Sequence, residues 1–362
     1  MAFVRFFFRA LFKGYELLLK MLMSLRHRLS QDPSEILIQR QSSDHKMIED
    51  RLLASKLTSA PPKQGQLLVL IPFRDGVDLT RQCVDSLLSQ TLPADIKMTV
   101  ALIDNQSKSS DTARYVKSLV EIDIEIDIEI NNPSKPIFRH IKADYEFNFS
   151  RLNNDAWRQC REASPDWVLL LNNDVELVSP RSIIEMISVV ESSHDIGVVG
   201  ATLVFPDDSV QHLFAAPGVK IVAAHPLKGV PRNLLKKWFE KDFRIVPSVT
   251  AACMMLRASD FDALQGLDEA MASHGQDIDL CLKLLKAGKY PVVATNVVAI
   301  HHESRTRAPR VFPRQDIKVF YERWGQSKEL NQFYSNDFSR WVESPVLKLA
   351  KHEPPYPWWL VI

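Results

Sequence analysis

Residues Trp167–Glu176 read WVLLLNNDVE. Five apolar residues, Trp167 to Leu171, run without a polar break and end abruptly in Asn172, Asn173 and Asp174. Such a run predicts a strand buried on both faces, of the kind found in the middle of a parallel sheet. In an open α/β sheet, ligands bind just beyond the carboxyl ends of such strands. Two amides and a carboxylate placed there have the chemistry to hold a hard divalent cation and the phosphates it carries. The same residues are also ordinary turn formers after a strand, and on this stretch alone both readings stand.

Working outward, Leu67–Ile71 predicts a strand that runs into Pro72, Phe73, Arg74 and Asp75. A helix carrying Cys83 and Leu87 follows, then strand Met98–Ile103 ending at Asp104. This strand–helix–strand alternation is the sign of a parallel α/β sheet. Further along come FNFSRLNN at 147–154, QDIDLC at 276–281 and IHHES at 300–304. In that order, from about Gln66 to Trp324, the set resembles the family 2 glycosyltransferases of the GT-A fold. The likeness is to bacterial enzymes of polysaccharide and O-antigen assembly in particular. The resemblance implies an α/β nucleotide-diphospho-sugar transferase fold, a mostly parallel central sheet flanked by helices, preceded here by an N-terminal amphipathic helix.

It also implies roles. Asn172-Asn173-Asp174 stands where the family carries its Asp-x-Asp metal motif, so Asp174 is the expected metal ligand. His301, directly after an apolar strand, is the expected second ligand, with His302 as fallback. The cofactor would be Mn or Mg, acting on the donor diphosphate as Lewis acid and template. Asp277 is the expected general base. It falls in the first turn of a predicted helix, where the positive end of the dipole favours a carboxylate. A single base with attack from the opposite face implies inversion at the anomeric carbon. Pro72, Phe73, Asp75, Asp104 and Asn154 are expected to line the nucleotide pocket, with Asn172 and Asn173 beside the donor. Arg305 is expected to reach the diphosphate. The family usually has Glu-Asp where this chain has Gln276-Asp277. Gln276 keeps a hydrogen-bonding amide toward the acceptor but no charge. Ala251 replaces a glycine common near the donor sugar, so donor identity does not carry over from the family's commoner members.

Composition sets the compartment and the boundaries. Forty-five basic against 44 acidic residues leave a formal charge of +1, which offers no basic footprint for nucleic acid. Cys83, Cys160, Cys253 and Cys281 are scattered among apolar residues and read as buried free thiols of a cytoplasmic protein. Residues 1–30 carry six basic residues against the single acid Glu16, interleaved with Phe and Leu. Charges spread through the segment argue against a transmembrane span or a signal peptide. A helix lying on an anionic membrane surface fits better, with packing on a protein surface as the other reading. The expected divisions are thus 1–30 amphipathic helix, 31–65 linker with a short helix around 48–57, 66–310 catalytic domain, and 311–362 C-terminal helix and strap.

Two stretches are read without chemistry. Glu121–Ile130, EIDIEIDIEI, alternates with period two and predicts a half-exposed strand whose carboxylates face solvent. Phe205–Asp242 is broken by Pro206, Pro217, Pro226 and Pro231 and is expected to be irregular and to lie over the site. The functional expectation is an inverting glycosyltransferase at the cytosolic membrane face. It would use a nucleotide-diphosphate sugar as donor and a growing glycan or lipid-linked glycan as acceptor, a rhamnosyltransferase being one such enzyme. The competing expectation is a non-catalytic nucleotide-sugar-binding subunit of a polysaccharide assembly. A dehydrogenase is excluded by the lack of a glycine-rich phosphate loop, in a chain with only 11 glycines.

Overall fold

The computed structural model describes residues 13–19, 21, 32–129, 136–302, 313–349, 353 and 356. The run Trp167–Leu171 is a strand with every residue buried. Its neighbours make it the middle of a ten-stranded mixed sheet. In chain order the strands are β1 (Gln64–Phe73), β2 (Asp95–Asp104), β3 (Ile137–Lys142), β4 (Trp167–Leu171), β5 (Val175–Leu177), β6 (Ile196–Val204) and β7 (Val210–His212). A two-residue pair, β8 (Ala216–Pro217) and β9 (Ala223–Ala224), forms a separate ribbon. Then come β10 (Phe243–Ile245), β11 (Cys253–Arg257) and β12 (Tyr290–His301).

The sheet order is β10-β12-β6-β11-β4-β1-β2-β3, with β5 on β12 and β7 on β6. Strands β4, β1, β2 and β3 are mutually parallel, as are β6 and β12. Strand β11 is antiparallel to both β4 and β6 and joins the two parallel blocks. Alternation along each central strand sorts its side chains into two layers. Leu68, Leu70, Val168 and Leu170 pack in one core, while Leu67, Val69, Ile71, Trp167, Leu169 and Leu171 pack in the other. All four cysteines are buried and free.

Three regions differ from the sequence reading or extend it. Glu121–Glu129 continues the helix that begins at Ser110 and forms no strand. Propagating an existing helix adds one hydrogen bond per residue fixed, whereas a new strand here would have to be nucleated. The second parallel partner of β2, beside β1, is supplied instead by Ile137–Lys142. Within 31–65, helices span Glu35–Gln39 and Ser43–Thr58, the second longer than the short helix expected. Glu49 from that helix is fully buried, 2.9 Å from Lys241 Nζ and 3.2 Å from Arg244 Nη1, and it accepts the Ile245 N–H at 3.0 Å. These contacts hold the segment against β10. At the chain's other end, Leu19 is buried with Trp341, Val342 and Val346, and Tyr15 sits edge-on to Trp341 at 5.4 Å. Leu17, Leu18 and Met21 on the same helix remain exposed. No helix among the described residues is long and apolar enough to cross a membrane.

Candidate active site

The carboxyl ends of β1, β2 and β4 lie side by side, Phe73 paired in register with Asp104. Beyond β4 the chain turns through Asn173 and Asp174 and re-enters the sheet as β5, antiparallel to β12. Val175 pairs with His301, so the turn delivers Asp174 directly beside it. His301 Nε2 stands 3.1 Å from Asp174 Oδ1, and the His302 N–H donates to the Asp174 carbonyl at 3.0 Å. Of the two histidines, His301 is the one whose ring faces Asp174. His302 turns toward Glu176, 3.5 Å away.

The ring of His301 is oriented by a residue that sequence reasoning passed over. Gln211 Nε2 donates to the His301 carbonyl at 3.2 Å, and its Oε1 lies 2.6 Å from His301 Nδ1. The amide oxygen suits an N–H at Nδ1. The 3.1 Å from His301 Nε2 to Asp174 Oδ1 is the length of a hydrogen bond or ion pair, and the same two atoms are the ones that would ligate a divalent cation. The donor set, one carboxylate oxygen and one imidazole nitrogen, suits a borderline-hard divalent ion and leaves positions for phosphate oxygens and water. Among the described residues no group of three His, Cys, Asp or Glu side chains gathers to hold a metal. Asp174 and His301 therefore fit such an ion as a pair that phosphates would complete.

Asp277 sits in the first turn of helix Gln276–Lys286, whose N-cap, Gly275, has φ 86°. Its Oδ1 accepts the Ile278 N–H at 2.9 Å and its Oδ2 the Ala251 N–H at 3.3 Å. The next residue, Ala252, accepts the Asn172 N–H through its carbonyl at 2.9 Å. Residues 251–252 thus link the helix bearing Asp277 to the turn bearing Asp174. Gln276 is buried with its Oε1 lacking a hydrogen-bond partner. The approach to Asp277 is braced from the C-terminal helix Arg314–Trp324: Asp316 Oδ2 accepts the N–H groups of Ser273 and His274 at 2.8 and 2.9 Å. Asp279, two residues on, turns to that helix, its Oδ1 accepting from Trp324 Nε1 at 2.9 Å and Arg323 Nη1 at 2.5 Å, while Lys283 pairs with its Oδ2 at 2.7 Å.

The expected nucleotide-pocket residues divide into frame and lining. Asp75, with φ 51°, accepts the N–H groups of Lys108 and Ser109 at 2.8 Å each and donates its own N–H to Ser107 Oγ. Asp104 Oδ1 accepts the Ser107 N–H at 2.8 Å, and its Oδ2 lies 3.5 Å from His140 Nε2. Both carboxylates therefore shape the 104–109 loop. Pro72 and Phe73 close β1 beneath it. Asn154 is buried and tied to Leu267, donating to its carbonyl at 2.8 Å and accepting its N–H at 2.9 Å. The neighbouring Gly266 has φ 74°, and a Cβ there would fall on Asn154 Oδ1. This asparagine locks two segments together. Asn173 Nδ2 donates to Thr80 Oγ1 at 2.9 Å, while Asn172 stays partly exposed at the strand end. Arg305 lies outside the described residues.

Burial pushes the Cys253 thiol up to about 12, and burial, then the charge of Asp174, raises that of Cys83. Neither is a nucleophile at neutral pH. Behind His301, burial first and then the neighbouring His225, His301 and Lys228 hold His212 well below its ordinary value. Its Nδ1 lies 2.7 Å from His225 Nδ1. The Pro-broken stretch 205–242, which carries β7, β8 and β9, contacts His301 through Gln211. Only the polar residue in the middle of Val210-Gln211-His212 hinted at which side chain would do so.

The sequence matches no protein-family model. It is 32% identical over 255 residues to the O-antigen biosynthesis protein RfbC of Myxococcus xanthus, covering 70% of this chain and 18% of that protein. It is 27% identical over 150 residues to an N-acetylglucosaminyl-diphospho-decaprenol L-rhamnosyltransferase of Mycobacterium tuberculosis, covering 39% of this chain and 48% of the relative. The chain therefore spans less than half the length of these curated relatives. Among solved structures it is similar to GalNAc-T7 with UDP, GalNAc and Mn2+. The TM-score is 0.55 at 11% identity, over 71% of this chain and 48% of that one. At that identity the likeness speaks for the fold. The fold is that of the GT-A glycosyltransferases, and the sequence is similar to bacterial proteins named for O-antigen biosynthesis and rhamnosyl transfer.

Proposed function

We propose that the chain is an inverting, metal-dependent glycosyltransferase of cell-surface glycan assembly, working at the cytosolic face of the membrane. The observation that carries this reading is the Asp174–His301 pair at the carboxyl end of the sheet, linked through Ala251 and Ala252 to the Asp277 carboxylate. Asp174 and His301 would hold the Mn or Mg ion, which when bound neutralises the leaving diphosphate. Asp277 takes the proton of the acceptor hydroxyl as its oxygen attacks the anomeric carbon, and the bond from that carbon to the diphosphate breaks. Gln276 would contribute its side-chain amide to the acceptor side of the site, its buried oxygen having no hydrogen-bond partner within the protein.

The mycobacterial relative's name supports a deoxyhexose such as rhamnose as the transferred sugar and a lipid-linked glycan as acceptor. Peripheral membrane attachment is supported by the six basic residues of 1–30 and by the exposed Leu17, Leu18 and Met21. A non-catalytic nucleotide-sugar-binding subunit is the less favoured reading, because the carboxylate at Asp277 is retained. The test is release of nucleoside diphosphate from nucleotide-sugars, dTDP-rhamnose first, with Mn2+ and a lipid-linked glycan. Acceptor-dependent release supports the reading. Donor binding without release, across the donor panel, supports the subunit.

A further inference from the structure

We infer that Gln211 is a positioning residue that fixes the ring of His301 so that Nε2, and not Nδ1, is presented beside Asp174. The inference rests on the reading of Asp174 and His301 as metal ligands and adds a residue that reading does not contain.

Three observations carry it. First, Gln211 sits at an irregularity in the β6–β7 ladder. Leu203 pairs with His212 and Val204 with Val210, so Gln211 is the extra residue, opposite no partner. A bulge of this kind turns a side chain out of the regular alternation, and bulges concentrate beside functional sites. Second, the re-aimed amide grips one residue at two points. Its Nε2 holds the His301 carbonyl at 3.2 Å and its Oε1 meets Nδ1 at 2.6 Å. Reversing the amide would set its oxygen against the His301 carbonyl, so the carbonyl contact keeps Oε1 toward Nδ1, where it favours an N–H. Third, Gln211 is only 5% exposed, so water does not readily replace either contact.

The consequence is chemical. A histidine ligates a metal through a nitrogen free of its proton, and the partner of the other nitrogen decides which one that is. Loss of such an outer partner typically lowers metal affinity by about 10- to 100-fold. Gln211 touches neither donor nor acceptor in this account and acts only through His301.

Two readouts test the inference, one with no metal present. In metal-free Asp174→Ala, which removes the carboxylate that would itself draw a proton to Nε2, the ring 15N shifts of His301, at a pH where the ring is neutral, should show the Nδ1–H tautomer. In that background Gln211→Leu should shift the ring to a tautomer mixture, and Gln211→Glu, which keeps an acceptor, should restore it. Mn2+ binding followed by electron paramagnetic resonance, with inorganic pyrophosphate supplying two linked phosphates, should weaken about 10- to 100-fold in Gln211→Leu. It should recover in Gln211→Glu and be lost in His301→Ala. An Nε2–H tautomer in metal-free Asp174→Ala overturns the inference, even if the leucine variant fails to fold. So does wild-type Mn2+ affinity in Gln211→Leu alongside loss in His301→Ala, which leaves the ligand reading intact. Unchanged affinity in His301→Ala, or no Mn2+ binding to the wild type, overturns the ligand reading and the inference with it.

Discussion

The main-chain N–H of Ala251 lies 3.3 Å from Asp277 Oδ2. The partner helps hold the carboxylate in place at the head of its helix. The contact also ties Asp277, the proposed base, to the turn behind β4, so it and the Asp174–His301 pair are positioned by one short stretch of chain.

Asp277→Asn keeps the size of the side chain and removes the proton acceptor, its single oxygen accepting one of the two N–H groups, those of Ala251 and Ile278, that the carboxylate accepts. Transfer to the true acceptor is expected to fall by roughly 10²- to 10⁴-fold, the usual worth of a general base. Donor affinity, measured by calorimetry, should change little. Near-normal transfer would remove Asp277 from the mechanism. Asp279 is a poor replacement, since Arg323, Trp324 and Lys283 already hold it.

Glu49 provides a prediction about pH. Burial disfavours its charge, but hydrogen bonds from His45 and Lys241 and the charges of Arg244 and Lys241 prevail, holding its carboxyl at about 2 against an ordinary 4.5. A carboxyl lowered in the folded state stabilises above its unfolded value, and that contribution is lost as pH falls from about 4.5 toward 2. Glu49→Gln leaves the buried Arg244 without its counter-charge. At neutral pH it should cost on the order of 3–5 kcal/mol, the usual effect of breaking a buried pair. Urea unfolding of both proteins from pH 7 to pH 3 checks this. The gap between them should narrow on the acid side, and a gap independent of pH would contradict the assignment.

The N-terminal helix predicts a separation of packing from membrane binding. Leu19 and Tyr15 face the Val342 strap, whereas Leu17 and Leu18 are 60% and 48% exposed. Leu17→Glu with Leu18→Glu should leave the melting temperature within a degree or two, since exposed positions contribute little. Flotation with anionic vesicles should drop sharply, because apolar burial and attraction to anionic lipid act together. Unchanged flotation would move the membrane contact elsewhere.

How much of this was legible in the sequence follows from what each residue depends on. The unbroken Trp167–Leu171 run needed no neighbours to be read, because a strand buried on both faces leaves no room for polar alternation. His301 and Asp174 were legible as strand ends, and their meeting follows from the Val175–His301 register. Long-range polar contacts were not legible. Nothing near Asp75 announces that its carboxylate holds the N–H groups of Lys108 and Ser109, or near Asn154 that it locks Leu267. Gln211 was hidden for the same reason, since its role arises from an irregular pairing with β6. In Glu121–Ile130 the pattern was clear and misleading: period two fits a strand, but the chain entered it already helical from Ser110.

The measurement closest to the central claim is thermal unfolding of the wild-type chain and of Asp174→Ala against a panel of nucleotide-diphosphate sugars, with and without Mn2+. A ligand at about 100 times its Kd stabilises the folded state by about 2.7 kcal/mol. The account predicts that at least one donor raises the melting temperature by several degrees in the wild type, only with Mn2+ present, and not in Asp174→Ala. It would be contradicted if no donor shifts the wild type, or if the shift survives both chelation and the loss of Asp174.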